Sequence, residues 1–124
     1  MRILIVEDNI VFREALELLL ALQPDTDVVA AVGDGDAAVE ACRAHAPEVI
    51  VMDYRLPGRD GVEVTAAVRE ECPEAAVVCL TAAISAAEER AIRDAGAVAC
   101  VKKDQPLDEI VGAIRAAAGG AGRA

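Results

Sequence analysis

Five short runs of aliphatic residues, 3–6, 28–32, 49–52, 77–80 and 98–101, are apolar from end to end instead of alternating with polar ones. A strand of that kind must be covered on both faces, as it is in a parallel sheet between two layers of helix. The intervening segments supply the cover. Phe12, Ala15, Leu16, Leu19 and Leu20, then Ala38, Val39 and Cys42, then Val64, Ala67 and Val68, then Leu107, Ile110, Val111 and Ile114 recur at helical spacing. Pro47 and Pro73 stand before the third and fourth runs, Gly96 suits the end of a fourth helix and Pro106 the first turn of a fifth. Five βα units follow, and right-handed crossovers close them into a doubly wound α/β sandwich with a five-stranded parallel sheet. With 124 residues the chain is the size of one domain, taken as 1–118. The Ala/Gly-rich stretch 116–124 reads as a flexible exit, with 119–124 as a tail or the start of a linker.

In such a sheet ligands bind beyond the carboxyl ends of the strands. The residues found there are Glu7 and Asp8 after the first run, Asp53 after the third, Thr81 after the fourth, and Lys102 and Lys103 after the fifth. Three carboxylates brought together repel one another, which a bound cation relieves. An all-oxygen set that leaves room for water and phosphate oxygens matches Mg²⁺. A carboxylate in that setting can act as a nucleophile toward phosphorus, and Asp53 is the candidate, with a lysine and the Thr81 hydroxyl balancing charge on the transferred group. Each residue alone also has a plainer use. Asp8 or Asn9 can cap a helix, Asp53 can open a turn toward Pro57 and Gly58, Thr81 can cap the fourth helix, and the lysines can be solvated. The convergence of all of them on one sheet edge favours the phosphoryl reading.

Twelve basic against 22 acidic residues, a net charge of −10, oppose direct binding to nucleic acid or to an anionic membrane. No apolar run approaches the roughly 18 residues of a membrane span. The opening segment becomes acidic by Glu7, unlike a secretory signal, so a cytoplasmic location is expected. Cys42, Cys72, Cys79 and Cys100 form no C-x-x-C pair, and His45 is the single histidine. Free thiols are expected in place of a zinc site or a disulfide framework, with Cys79 and Cys100 buried.

The segments ILIVEDN at 3–9, VIVMDYRLPGRDG at 49–61, VVCLTA at 77–82 and AGAVACVKKDQP at 95–106 together resemble the receiver domain of bacterial two-component response regulators. The resemblance runs from Ile3 to about Ala118. FRE at 12–14 and KKD at 102–104 look most like the NarL/FixJ-type transcription regulators. It implies a flavodoxin-like (βα)5 fold with strand order 2-1-3-4-5 and phosphorylation of Asp53 by a sensor histidine kinase. It further implies Mg²⁺ held by Glu7, Asp8, Asp53 and the backbone carbonyl of Arg55, with Thr81 as the switch hydroxyl. Lys103 matches the family lysine because it directly precedes Asp104, which leaves Lys102 solvated. Control of transcription would pass through a separate DNA-binding output domain, and pairing of receivers through their helical surfaces is left open. The chain departs from the family at Cys100, three residues before Lys103, where the family usually has a Tyr or Phe whose rotamer follows the threonine. Signalling is therefore expected to rely on Thr81 and the fourth helix without an aromatic swing. Arg55 and Ala83 occupy positions that in the family govern how water reaches the phosphoryl group.

Three other readings compete. A Mg²⁺-dependent phosphohydrolase forming an aspartyl phosphate typically has a second aspartate two residues after the nucleophile, where this chain has Arg55. A flavin binder shares the architecture, but Phe12 and Tyr54 are the only aromatic residues and no phosphate loop follows the first strand. A degenerate receiver acting only as a dimerisation module is opposed by the intact set of Asp53, Thr81 and Lys103.

Overall fold

The computed structural model describes residues 1–120. The elements run β1 (Arg2–Val6), α1 (Ile10–Ala21), β2 (Asp27–Val32), α2 (Gly35–His45), β3 (Val49–Met52), α3 (Gly61–Glu71), β4 (Ala76–Thr81), α4 (Ala86–Ala95), β5 (Ala97–Lys102) and α5 (Leu107–Gly120). The five strands form one sheet in the order β2-β1-β3-β4-β5, with every pairing parallel. This is the doubly wound sandwich expected from the apolar runs, in the flavodoxin-like strand order that the family resemblance implies.

Successive side chains of the inner strands point to opposite faces, which sorts them into two cores. Leu4, Val6, Ile50, Met52, Val77 and Cys79 pack beneath α2, α3 and α4 through Ala38, Cys42, Val64, Val68 and Ile92. Ile3, Ile5, Val49, Val51, Val78 and Leu80 pack beneath α1 and α5 through Leu16, Leu20, Ile110, Val111 and Ile114. The inner strands β3 and β4 are buried throughout, and β1 is buried from Ile3 onward. At the edges, β2 is partly exposed along its length and Val98 of β5 faces solvent.

Two expectations change. Residues 116–120 belong to α5 instead of a flexible exit. Ala117 is buried and Ala118 packs on the same core one helical turn past Ile114, and alanine is the best helix former, so two late glycines do not stop the helix there. The remainder of the expected tail, 121–124, lies outside the described residues. Cys100 is half-buried, because β5 is the edge strand, whereas Cys79 on β4 is fully enclosed.

Helix starts are set locally. Asn9, Asp34, Asp60 and Ser85 cap α1 to α4, each accepting a backbone N–H from the first turn. Gly96, at a positive φ of 126°, ends α4. Ala46 ends α2 in the left-handed region at φ 45°, with Pro47 immediately after it.

Candidate functional site

The parallel ladder continues one step past the strands and fixes the loops that carry the polar groups. Glu7 N–H donates to the Val32 carbonyl at 2.9 Å, Asp53 N–H to Val6 at 3.0 Å and Lys103 N–H to Thr81 at 2.9 Å. The side chains of Glu7, Asp53 and Thr81 are thereby held at one sheet edge and buried, while Asp8 stays open to solvent. Carboxylate oxygens of Glu7, Asp8 and Asp53 lie within 4.8 Å of one another.

Lys103 Nζ sits between two of these acids, 3.0 Å from Asp53 Oδ2 and in contact with Glu7 Oε1. Its ammonium also lies 4.5 Å from the Phe12 ring centroid, a cation–π contact. Burial works against the charge on Lys103, but its bonds to Glu7 and Asp53 outweigh that and raise its pKa. Burial pushes the Glu7 carboxyl up from the ordinary range, and the neighbouring Asp53 adds to the effect, against the lowering by Lys103 and by the Asn9 N–H. One ammonium cannot balance three carboxylates, so the cluster retains a demand for positive charge. An all-oxygen set with one member open to solvent has the donor chemistry that Mg²⁺ takes.

The sequence-designated residues are thus largely brought together: Glu7, Asp8, Asp53 and Lys103 form one cluster. Thr81 stands at the adjacent strand end, but its hydroxyl donates to the Ala83 carbonyl at 3.4 Å instead of facing the carboxylates. Arg55 contributes its backbone N–H to Asp53 Oδ1 at 3.3 Å. Its guanidinium extends away to Glu88 on α4, 3.3 Å from both carboxylate oxygens. Lys102 is exposed, as expected. Of the plainer uses, Asn9 is the cap of α1 and Ser85 that of α4, so Asp8 and Thr81 are free of capping duty.

Four supporting residues escaped the sequence reading. Arg13 donates to the Glu7 carbonyl at 2.9 Å. Phe12 lies against Lys103, and Glu88 holds Arg55. Gly61 donates to the Tyr54 carbonyl at 2.6 Å, and a Cβ on it would come within 2.8 Å of Tyr54 Cα and 3.2 Å of the Asp53 carbonyl oxygen. Gly61 stood in the sequence as the glycine closing RDG and Phe12 and Arg13 as part of FRE, but no local pattern announced their contacts, and Glu88 reaches Arg55 across the fold.

A doubly wound sheet with an acidic cluster and one lysine at the carboxyl ends of its strands is the signature of two-component signalling receivers. The chain belongs to the response regulator receiver domain family, whose profile matches residues 3–115. It is 39% identical over 118 residues to the probable transcriptional regulatory protein NarL of Mycobacterium tuberculosis, covering 91% of this chain and 52% of that protein. It is 33% identical over 119 residues to the transcriptional regulatory protein LiaR of Bacillus subtilis, covering 96% of this chain and 56% of LiaR. The chain spans about half the length of these curated relatives. The solved receiver domain of the Mycobacterium tuberculosis NarL superposes with a TM-score of 0.90 at 38% identity, covering 96% of each chain. The receiver is therefore of the NarL/LuxR type of response regulator. Among the described residues no helix is long and apolar enough to cross a membrane.

Proposed function

We propose that Asp53 accepts a phosphoryl group from the phosphohistidine of a sensor kinase and that the modified domain switches a cytoplasmic output. The reading is supported above all by the buried Asp53 carboxylate, bonded to Lys103 and clustered with Glu7 and Asp8 at the end of β3. Glu7, Asp8, Asp53 and the Arg55 backbone carbonyl would hold Mg²⁺. That cation, when bound, supplies positive charge against the carboxylates and the phosphoryl oxygens. An Asp53 oxygen attacks phosphorus, the new P–O bond forms as the P–N bond breaks, and the imidazole nitrogen leaves with the electron pair and takes up a proton. Lys103, already against Asp53, is placed to follow the negative charge onto the phosphoryl oxygens. Thr81 must turn from the Ala83 carbonyl to donate to that group. Its turn draws on the loop leading to α4, a helix whose one buried side chain is Ile92 and which is therefore loosely held. No aromatic swing is available at Cys100.

The phosphohydrolase reading is opposed at Arg55, which replaces the aspartate such enzymes use for proton transfer and whose guanidinium is occupied by Glu88. The phosphoryl group should persist, as suits a switch. Any DNA contact falls to a separate output domain, with transcription as the output; the net charge of −10, which opposes DNA binding by the receiver itself, supports that reading. Acetyl phosphate with Mg²⁺, followed by intact-mass measurement, tests the proposal. A phosphoryl-sized gain that needs Mg²⁺ and is lost in Asp53→Asn is expected, and no gain in the wild type would leave the chain as a dimerisation module.

A further inference from the structure

Arg55 joins the phosphoacceptor turn to α4. Its backbone N–H is bonded to Asp53 Oδ1, and its guanidinium reaches Glu88 with Nη2 3.3 Å from each carboxylate oxygen. Glu88 is not a freely moving partner. Its Oε1 accepts the Ser85 N–H at 2.9 Å while its own N–H donates to Ser85 Oγ at 3.1 Å, the reciprocal capping box of α4. The anchor for Arg55 is thus part of the helix start. The pair itself is exposed, with side-chain accessibilities of 61% and 30%, and an exposed pair with long contacts is weak. A phosphoryl group on Asp53 carries close to two negative charges and several acceptor oxygens, two residues from the root of the Arg55 side chain. Guanidinium binds such a group through paired, charge-assisted bonds that a single Nη shared between two carboxylate oxygens does not match.

We propose that Glu88 is a positioning residue that holds Arg55 off the acceptor, and that the phosphoryl group competes with Glu88 for the Arg55 guanidinium. Capture of Arg55 by the phosphoryl group releases the tie between the acceptor turn and the first turn of α4. This is a route from Asp53 to the α4 surface that uses no aromatic residue, in a chain whose β5 carries none. The coupling is reciprocal: whatever frees Arg55 from Glu88 also favours the phosphorylated form. The inference rests on Asp53 being the acceptor.

Trifluoroberyllate, a phosphoryl mimic, titrated calorimetrically into the domain in Mg²⁺ separates the two readings. Glu88→Gln keeps an oxygen for the Ser85 N–H, so the capping box survives and only the charge holding Arg55 is lost. Four proteins are compared: wild type, Glu88→Gln, Arg55→Ala and the double variant. Glu88→Gln is expected to tighten trifluoroberyllate binding by about two- to fivefold, the factor that an exposed ion pair is worth. The same substitution in the Arg55→Ala background should change nothing. An unchanged affinity in Glu88→Gln, or an equal gain in both backgrounds from loss of negative charge alone, overturns the proposal. Failure of the wild type to bind at all would sink the acceptor reading itself.

Discussion

Residue by residue, the site depends on backbone approach as much as on charge. Gly61 lets α3 start directly against the Asp53–Tyr54 peptide, where a Cβ would stand 2.8 Å from Tyr54 Cα and 2.9 Å from its carbonyl oxygen. Both of these are main-chain atoms, so the acceptor turn would have to move to relieve the contact. Gly61→Ala is expected to destabilise the domain by about 1–3 kcal/mol in urea unfolding, as overpacking does. It should also slow phosphorylation by acetyl phosphate more than a substitution at the solvent-exposed Gly58 turn does. An unfolding midpoint equal to wild type would show that the turn tolerates the extra carbon. The cluster of Glu7, Asp8, Asp53 and a lysine could be read from the chain because these residues stand within two positions of the end of an apolar run, a local property, while the choice of Lys103 over Lys102 came from the family resemblance. Arg55 and Glu88 are 33 positions apart, and their meeting follows only from α4 lying beside the β3 loop.

Among the elements, α2 carries a strained end. Ala46 occupies the left-handed region at φ 45°, which glycine enters freely and an L-residue with a Cβ does not. Its N–H bonds the Cys42 carbonyl, so the conformation closes the helix properly despite the strain. Ala46→Gly should stabilise the domain by about 0.5–1 kcal/mol, the left-handed strain being partly offset by the greater freedom of glycine in the unfolded chain. Thermal unfolding checks it, and a lower melting temperature would show that the strain is carried elsewhere. Nothing in the HAPE segment at 45–48 announces this backbone, whereas the caps Asn9, Asp34, Asp60 and Ser85 are of residue types that favour helix starts. The extension of α5 was likewise illegible: AAAGG reads as a linker until Ala117 is seen packed beside Ile114.

On the scale of the whole molecule, alkaline stability follows from the sealed core under α2 and α3. Burial, reinforced by neighbouring Cys72, pushes the Cys42 thiol up to about 12 from an ordinary 9.0. Cys79 is raised further, again chiefly by burial. The folded state therefore keeps these protons where the unfolded chain releases them. Their contribution is complete below about pH 9 and is lost as pH rises toward the folded values. The raised Lys103 acts in the same direction at higher pH still. The melting temperature should fall steadily from pH 9 to pH 11, with a shallower fall in Cys42→Ala, whose cavity lowers the starting value. Parallel slopes for the two proteins would exclude the thiol as a source. By itself the sequence determined the number and type of elements, the parallel sheet and the acids and lysine at its edge. Those follow from side-chain periodicity and from residues adjacent in the chain, which are local facts. Tertiary structure alone decided the lodging of Lys103 between Glu7 and Asp53, the turn of Thr81 toward Ala83 and the hold of Glu88 on Arg55. Each of these is a distance between segments far apart in sequence, set by how helices seat on the sheet, and no local pattern encodes it.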